Sequence, residues 1–205
     1  MSLVIVDTGC ANLASVQYAF ERIGVDAHIS ETLEQIKTAE RVILPGVGSA
    51  PYAMEKIREK GLTDTLQALT QPVLGICLGM QLIFDTLDEG TQESCKSGEA
   101  NGLGLIPGRV SLLNTQGAPS PHMGWNTLNN LTEDPLLSGV NSGDYAYFVH
   151  SFAAPISDHT LASAQYGNEF SAIVRHRNIW GCQFHPERSS DVGAQILQNF
   201  SKVTL

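Results

Sequence analysis

The sequence predicts an α/β fold: one domain over residues 1–205, built on an open mixed sheet that is mostly parallel and flanked by helices, with an antiparallel portion in the C-terminal half. Three observations predict it. Residues 3–6, 41–44 and 73–76 are short, nearly continuous aliphatic runs, the pattern of strands buried on both faces of a parallel sheet. Helical spacing alternates with strand runs in the first half, giving a β-α-β-α-β rhythm. In the second half, residues 161–164, 172–175 and 179–184 follow one another through short polar connections, as strands of an antiparallel meander do.

Taken in order, residues 3–6 form a first strand that ends at Asp7-Thr8-Gly9. Residues 12–23 carry Leu13, Val16, Phe20 and Ile23 at helical spacing, and Gly24 is a natural stop. Residues 25–29 are the second strand, and a polar helical link leads to the third, which closes in Pro45-Gly46-Val47-Gly48-Ser49. Residues 50–60 read as a helix with Tyr52, Met54 and Ile57 as partial core contacts, and residues 62–69 as another. The strand over residues 73–76 ends at Cys77, where a helical pattern begins with Leu78, Leu82 and Phe84 as core contacts. An acidic turn over residues 85–90 and a polar, glycine-rich loop over residues 91–104 follow. Residues 109–113 are a strand and residues 114–121 a loop; Trp125, in Met123-Gly124-Trp125-Asn126, is either a packing residue or a surface anchor. Residues 145–149 form a strand ending at His150-Ser151, and the last strand delivers His185-Pro186-Glu187. Residues 189–200 are the closing helix, with Ser189 or Ser190 as N-cap and Val192, Ile196 and Phe200 facing inward. No repeat, low-complexity tract or linker divides the chain.

Composition excludes several classes of function. A net charge of -9 and a pI near 5.0, with scattered Lys and Arg, argue against nucleic acid as a partner. No apolar run approaches membrane-spanning length. The N-terminus lacks a basic region and reads as a strand, not a signal peptide. The cysteines at 10, 77, 95 and 182 form no CxxC and no metal-binding pattern, which fits reduced thiols in a cytoplasmic protein without a metal.

Chemistry concentrates at Gly75-Ile76-Cys77-Leu78-Gly79. Glycines two residues either side of a nucleophile mark a tight strand-to-helix elbow, here with Cys in place of Ser. The elbow puts the sulfur at a helix N-terminus, where free N–H groups favour the thiolate, the reactive form. A nucleophilic cysteine needs a base and the base an orienting acceptor; His185 and Glu187, stiffened by Pro186, supply both if Pro186 bends the strand end. Among the other histidines, His28, His159 and His176 read as surface or satisfied core residues, while His122 and His150 are placed to line a cleft. Gly46-Val47-Gly48 reads either as an ordinary turn or as backbone N–H groups aimed at a developing negative charge. The residues alone leave open a stand-alone cysteine hydrolase and a binding module in which Cys77 is merely a small buried hydrophobe.

Gly75-Ile76-Cys77-Leu78-Gly79-Met80-Gln81 together with His185-Pro186-Glu187 resembles the class I (triad) glutamine amidotransferases. Asn12-Leu13, Pro45-Gly46-Val47-Gly48, His122-Met123-Gly124-Trp125-Asn126 and Tyr147-Phe148-Val149-His150-Ser151 extend the resemblance over essentially the whole chain. They are similar to the histidine-biosynthetic branch of the family rather than to its anthranilate or pyridoxal phosphate branches. The resemblance implies a flavodoxin-like fold and a glutaminase that hydrolyses glutamine to glutamate and ammonia, with no cofactor. It implies Cys77 as nucleophile, His185 as acid and base, and Glu187 as orienter. The N–H of Leu78 and one from the stretch of Gly46 and Val47 would form the oxyanion hole. Gly48, Gln81, Glu89, His150, Ser151 and Phe152 would contact the glutamine. The implied partner is a (β/α)8-barrel cyclase that receives the ammonia, docked at or near Asn12, Trp125, Tyr147 and Arg188. The chain departs from the family at Ala11, where a glycine usually precedes the Asn; Ala is tolerated there unless the backbone needs positive φ.

Overall fold

A computed structural model describes residues 2–89 and 100–205. The first half runs β1 (Leu3–Val6), α1 (Leu13–Arg22), β2 (Ala27–Ser30), α2 (Leu33–Thr38), β3 (Arg41–Gly46), α3 (Ala50–Glu59), α4 (Thr63–Gln67), β4 (Val73–Cys77) and α5 (Leu78–Leu82). The second half runs β5 (Phe84–Leu87), β6 (Ala100–Asn101), β7 (Ile106–Leu112), β8 (His122–Thr127), β9 (Tyr145–His150), β10 (Phe152–Ala153), β11 (Thr160–Tyr166), β12 (Asn168–His176), β13 (Ile179–Cys182) and α6 (Ser190–Lys202).

The main sheet has seven strands in the order β11-β12-β13-β4-β3-β1-β2. From β13 to β2 every pairing is parallel, and β11, β12 and β13 form the antiparallel meander. The aliphatic runs are buried on both faces because alternate residues enter different cores. Leu3 and Ile5 pack with Phe20, Trp180, Ile196 and Phe200 on the α1 and α6 side. Val4 and Val6 pack with Ile36, Met54, Ile57 and Leu66 on the side of α2, α3 and α4. In an open α/β sheet, ligands sit beyond the carboxyl ends of the strands. The ends of β3 and β4 meet there, with Gly46 opposite Cys77.

The structure corrects several expected elements. The elbow helix stops at Leu82, and Phe84, buried as expected, belongs to β5 instead. Part of the acidic turn over residues 85–90 is therefore strand, joined to β7 and β6 in a second sheet ordered β10-β7-β5-β6. Its acids are satisfied locally: Asp85 accepts the Gly108 N–H at 3.1 Å, and Asp88 pairs with Arg109. Gly90, Cys95 and the rest of the expected loop up to residue 99 lie outside the described residues. The stretch around Trp125 is a strand, β8, paired antiparallel with β9. α4 is shorter than the stretch over residues 62–69. Among the described residues, no helix is long and apolar enough to cross a membrane.

Candidate active site

Cys77 is the junction between β4 and α5, and its backbone is strained, with φ 53 and ψ -111. A non-glycine residue held at positive φ survives only where its surroundings over-determine it. Here they do, because the chain is packed too closely for side chains on either flank. A Cβ on Gly75 would lie 2.7 Å from the Gly79 carbonyl oxygen, and one on Gly79 would lie 1.7 Å from that of Leu44. Gly79→Ala is therefore expected to cost about 3 kcal/mol or more through overpacking against rigid backbone. Calorimetry should register a fall in Tm of roughly 10 °C for a domain of this size; an unchanged Tm would contradict the packing.

His185 follows β13 and is drawn back toward Glu187 by a 3-10 turn, Pro186–Arg188. Its Nδ1 lies 2.7 Å from Glu187 Oε1. Of Ser189 and Ser190, it is Ser189 that occupies the N-cap position of α6, but its hydroxyl makes no cap bond. It donates instead to the His185 carbonyl at 2.7 Å and accepts the Tyr147 N–H at 2.9 Å, stitching the turn to β9. Burial pushes the His185 imidazole down, but hydrogen bonds and charge at Cys77 and Glu187 outweigh it and raise its pKa to about 10. The ring is thus held as an imidazolium beside the sulfur. Cys77 Sγ lies 3.7 Å from the Val149 carbonyl oxygen, to which its thiol form would donate.

A cavity of about 310 Å³ opens over this group. Val47, Gly48, Leu78, Gln81, Glu89, His150, Ser151 and Phe152, all singled out in the sequence, line it with Cys77 and His185. Pro121 and Val149 line it too; neither was expected in the site, although Val149 lies in the Tyr147-to-Ser151 stretch. Gly46 does not: it is the last residue of β3, and a Cβ there would come within 2.9 Å of the Gly79 nitrogen, so its glycine serves close packing. The Val47 N–H donates to the Cys10 carbonyl at 2.7 Å. It is therefore engaged away from the cavity, whereas the Leu78 N–H opens α5 and has no partner in its own helix. Glu89 accepts the Ala50 N–H at 2.7 Å; burial raises its carboxyl pKa, with that bond opposing. Gln81 is buried, with its amide nitrogen committed to the Phe152 carbonyl at 2.9 Å and Gln183 Oε1 at 3.1 Å.

Sequence reasoning missed Gln183, a polar residue in an apolar run two positions before His185 and the one signal available there. It also misread His122, which is buried behind His150 rather than in the cleft. The Phe152 carbonyl can only accept, so His150 Nδ1 donates to it at 2.8 Å. His150 Nε2 then accepts from His122 Nδ1 at 2.9 Å, and His122 Nε2 accepts from Asn126 at 3.3 Å. Both rings are neutral in this chain. Burial drives their pKa values down from 6.5, to about 4 for His122 and about 3 for His150.

The sign of the consequence is fixed. Unfolded, these rings take up protons below about pH 6.5, while folded they resist until about 4 and 3. Stability is expected to fall as pH drops through that window, by about 1.4 kcal/mol per pH unit for each ring. Urea unfolding at pH 7 and pH 5 should show a smaller loss in His122→Phe, and equal losses in the two proteins would refute the assignment.

Of the residues expected at a partner interface, Trp125 lies beside Tyr147 and shares a cavity with Arg188, while Asn12 stands at the start of α1. Asn12 caps α1 by accepting the Ser15 N–H at 3.3 Å. Ala11 has no left-handed backbone, so its departure from glycine is unstrained. Trp125 is 53% exposed and stands edge-on to Tyr147 at 5.8 Å. Arg188 borders a second cavity of about 510 Å³ with Trp125, Arg22 and Glu187. Glu187 Oε2 is buried and has no hydrogen-bond partner among the described residues. Those residues also contain no group of three or more His, Cys, Asp or Glu placed to hold a metal ion.

Residues 4–203 match the family glutamine amidotransferase class-I. The chain is similar to imidazole glycerol phosphate synthase subunit HisH of Colwellia psychrerythraea, with 52% identity over 96% of this chain and 91% of that protein. It is similar to HisH of Shewanella loihica at 50% identity, covering 98% and 90%, and of Idiomarina loihiensis at 48%, covering both in full. A solved structure described as a GMP synthase subunit from Thermoplasma acidophilum superposes with a TM-score of 0.71 at 19% identity, covering 98% of this chain and 92% of that one. At such identity the likeness speaks for the fold.

Proposed function

Because this chain belongs to the glutamine amidotransferase class-I family, we propose that it hydrolyses glutamine through Cys77, His185 and Glu187, as the glutaminase subunit of an imidazole glycerol phosphate synthase in histidine biosynthesis. The single observation that carries this reading is the cavity in which a strained Cys77 meets His185, itself bonded to Glu187 at 2.7 Å. The relatives' name supports the choice of glutamine over other amides and esters.

The geometry accounts for each step. The Cys77 thiolate attacks the side-chain amide carbon of glutamine, and the negative charge that develops on its oxygen faces the Leu78 N–H. His185, already carrying a proton, gives it to the departing nitrogen, and ammonia leaves behind a γ-glutamyl thioester. The thiolate that helped raise the His185 pKa is consumed at that point, which leaves burial, the largest influence and a lowering one, opposed by Glu187 alone. The ring thus becomes a base when a water must be deprotonated. Attack by that water releases glutamate and restores the thiolate and the protonated ring. Glu187 holds Nδ1 so that Nε2 serves both transfers. In the pocket, the committed nitrogen of Gln81 leaves its amide oxygen for the substrate, and Glu89 offers its carboxylate to the α-ammonium group.

Ammonia is mostly protonated in neutral water and useless as a nucleophile, so a glutaminase of this kind gains from a docked acceptor. We place a (β/α)8-barrel cyclase on the face of Asn12, Trp125, Tyr147 and Arg188. The second cavity is lined by Trp125 and Arg188 of that set and reaches Glu187. The reduced thiol needed at Cys77 fits a cytoplasmic location. The test is synthesis by the purified chain mixed with a histidine-pathway cyclase and its phosphoribosyl aminoimidazole substrate, with glutamine as sole nitrogen source. Product formed from glutamine, and lost when Trp125→Ala breaks the complex, is expected. Glutamate release that never feeds the cyclase would remove the histidine-pathway role and keep the hydrolase.

A further inference from the structure

We propose that Gln183 is a positioning residue for the Cys77 sulfur, donating an amide N–H that holds the thiolate; this rests on reading Cys77 as the nucleophile. Gln183 follows β13 and is wholly buried, and its backbone is fixed by a 2.9 Å bond to the Ala172 carbonyl. Its side chain spans two functional residues. Oε1 accepts from Gln81 Nε2 at 3.1 Å, and Nε2 lies 4.0 Å from Cys77 Sγ.

The amide cannot be turned round. The Phe152 carbonyl accepts from Gln81 at 2.9 Å, which identifies that end of Gln81 as its nitrogen. The same nitrogen faces Gln183, so it must meet an oxygen there, and the Gln183 nitrogen is left facing the sulfur. The reversed amide would set two donors against each other in a buried site, a costly arrangement. A Met or Leu would fill the same space without any desolvated amide, so a buried Gln at this point needs polar work to offset its burial.

The sulfur has a partner for each of its states. As a thiol it donates to the Val149 carbonyl at 3.7 Å. Once His185 takes the proton, that carbonyl becomes an unfavourable neighbour, and the Gln183 N–H is the donor on hand. A donor aimed at an anion favours the charged form, and charge-assisted bonds shorten. The 4.0 Å separation is thus expected to close when the thiolate forms. Because Gln81 lines the glutamine cavity, the bridge also ties the substrate-contacting amide to the nucleophile.

The test is the rate at which iodoacetamide labels Cys77, resolved from the other cysteines by peptide mapping, between pH 5 and 9. Gln183→Met removes the donor at similar volume. Gln183→Glu keeps an acceptor for Gln81 but turns a carboxylate oxygen toward the sulfur. Labelling near neutral pH is expected to fall about tenfold in Gln183→Met and further in Gln183→Glu, with the shortfall closing at high pH, where the thiol ionises without help. The kcat for glutamine should fall by a similar factor while KM changes little. A purely structural Gln183 would lower Tm and leave the labelling profile where it was, which would overturn the proposal. Should both variants fail to fold, Gln183→Asn, which withdraws the N–H by one methylene, decides by the same profile. If Cys77→Ala still hydrolyses glutamine, the reading of Cys77 fails and the proposal with it. A displaced kcat with an unmoved labelling profile sinks the proposal alone.

Discussion

Cys77→Ala is expected to lower glutamate release from glutamine by about ten-thousandfold or more, since the loss of one member of a nucleophile–base pair costs nearly as much as the loss of all. Alanine has no atom to form the thioester, so hydrolysis would fall to whatever the cavity achieves by binding and by the Leu78 N–H. The cavity itself should survive. Cys77 is only one of its lining residues, and the elbow is set by glycines that stay in place. Glutamine binding measured by calorimetry should therefore persist. Adding His185→Ala should cost almost nothing further, because His185 acts only through the sulfur and the water that follows it. A double variant far weaker than Cys77→Ala, or a single variant retaining a hundredth of the activity, would mean that another group attacks the amide.

The second large effect concerns Val47. Its N–H is bonded to the Cys10 carbonyl at 2.7 Å, so in this conformation it is turned away from the cavity, and an oxyanion formed there would be left with the Leu78 N–H. A docked cyclase that turned the Val47 peptide toward the cavity would add a donor, and one oxyanion donor is worth roughly a hundredfold or more in kcat. Val47→Pro removes the N–H altogether. Its side chain is 43% exposed, so little packing is lost. With the cyclase and its ligand present, Val47→Pro is expected to lower the glutaminase rate by about a hundredfold or more. Val47→Ala keeps the N–H and should stay within a few-fold of the parent. Equal rates in the two variants would exclude this peptide as an oxyanion donor.

Much of the site was legible before folding because its parts are local. The elbow is five consecutive residues, and its two glycines follow from contacts with neighbouring backbone. His185 and Glu187 are two residues apart, so one turn brings their side chains together. The strands of the main sheet declared themselves because burial on both faces demands unbroken aliphatic runs. β5 did not, since Asp85 and Asp88 belong to a turn by composition; they are tolerated in or beside a strand only because the Gly108 N–H and Arg109 reach them. β8 was hidden for a similar reason: His122, Gly124 and Asn126 form no strand-like alternation until β9 pairs with them.

The fold class, the elbow cysteine and the His185-Pro186-Glu187 turn could be read from the chain because each is written in neighbouring residues, whereas most of the residues that line the cavity were expected from the family resemblance. Which donors and acceptors are in use was set by folding. Val47 is held by Cys10, His122 stands behind His150, and Gln183 joins Gln81 to the sulfur. An amide or an imidazole has many possible partners of similar energy. Its choice is made when folding brings distant segments within about 3 Å and water is excluded from between them.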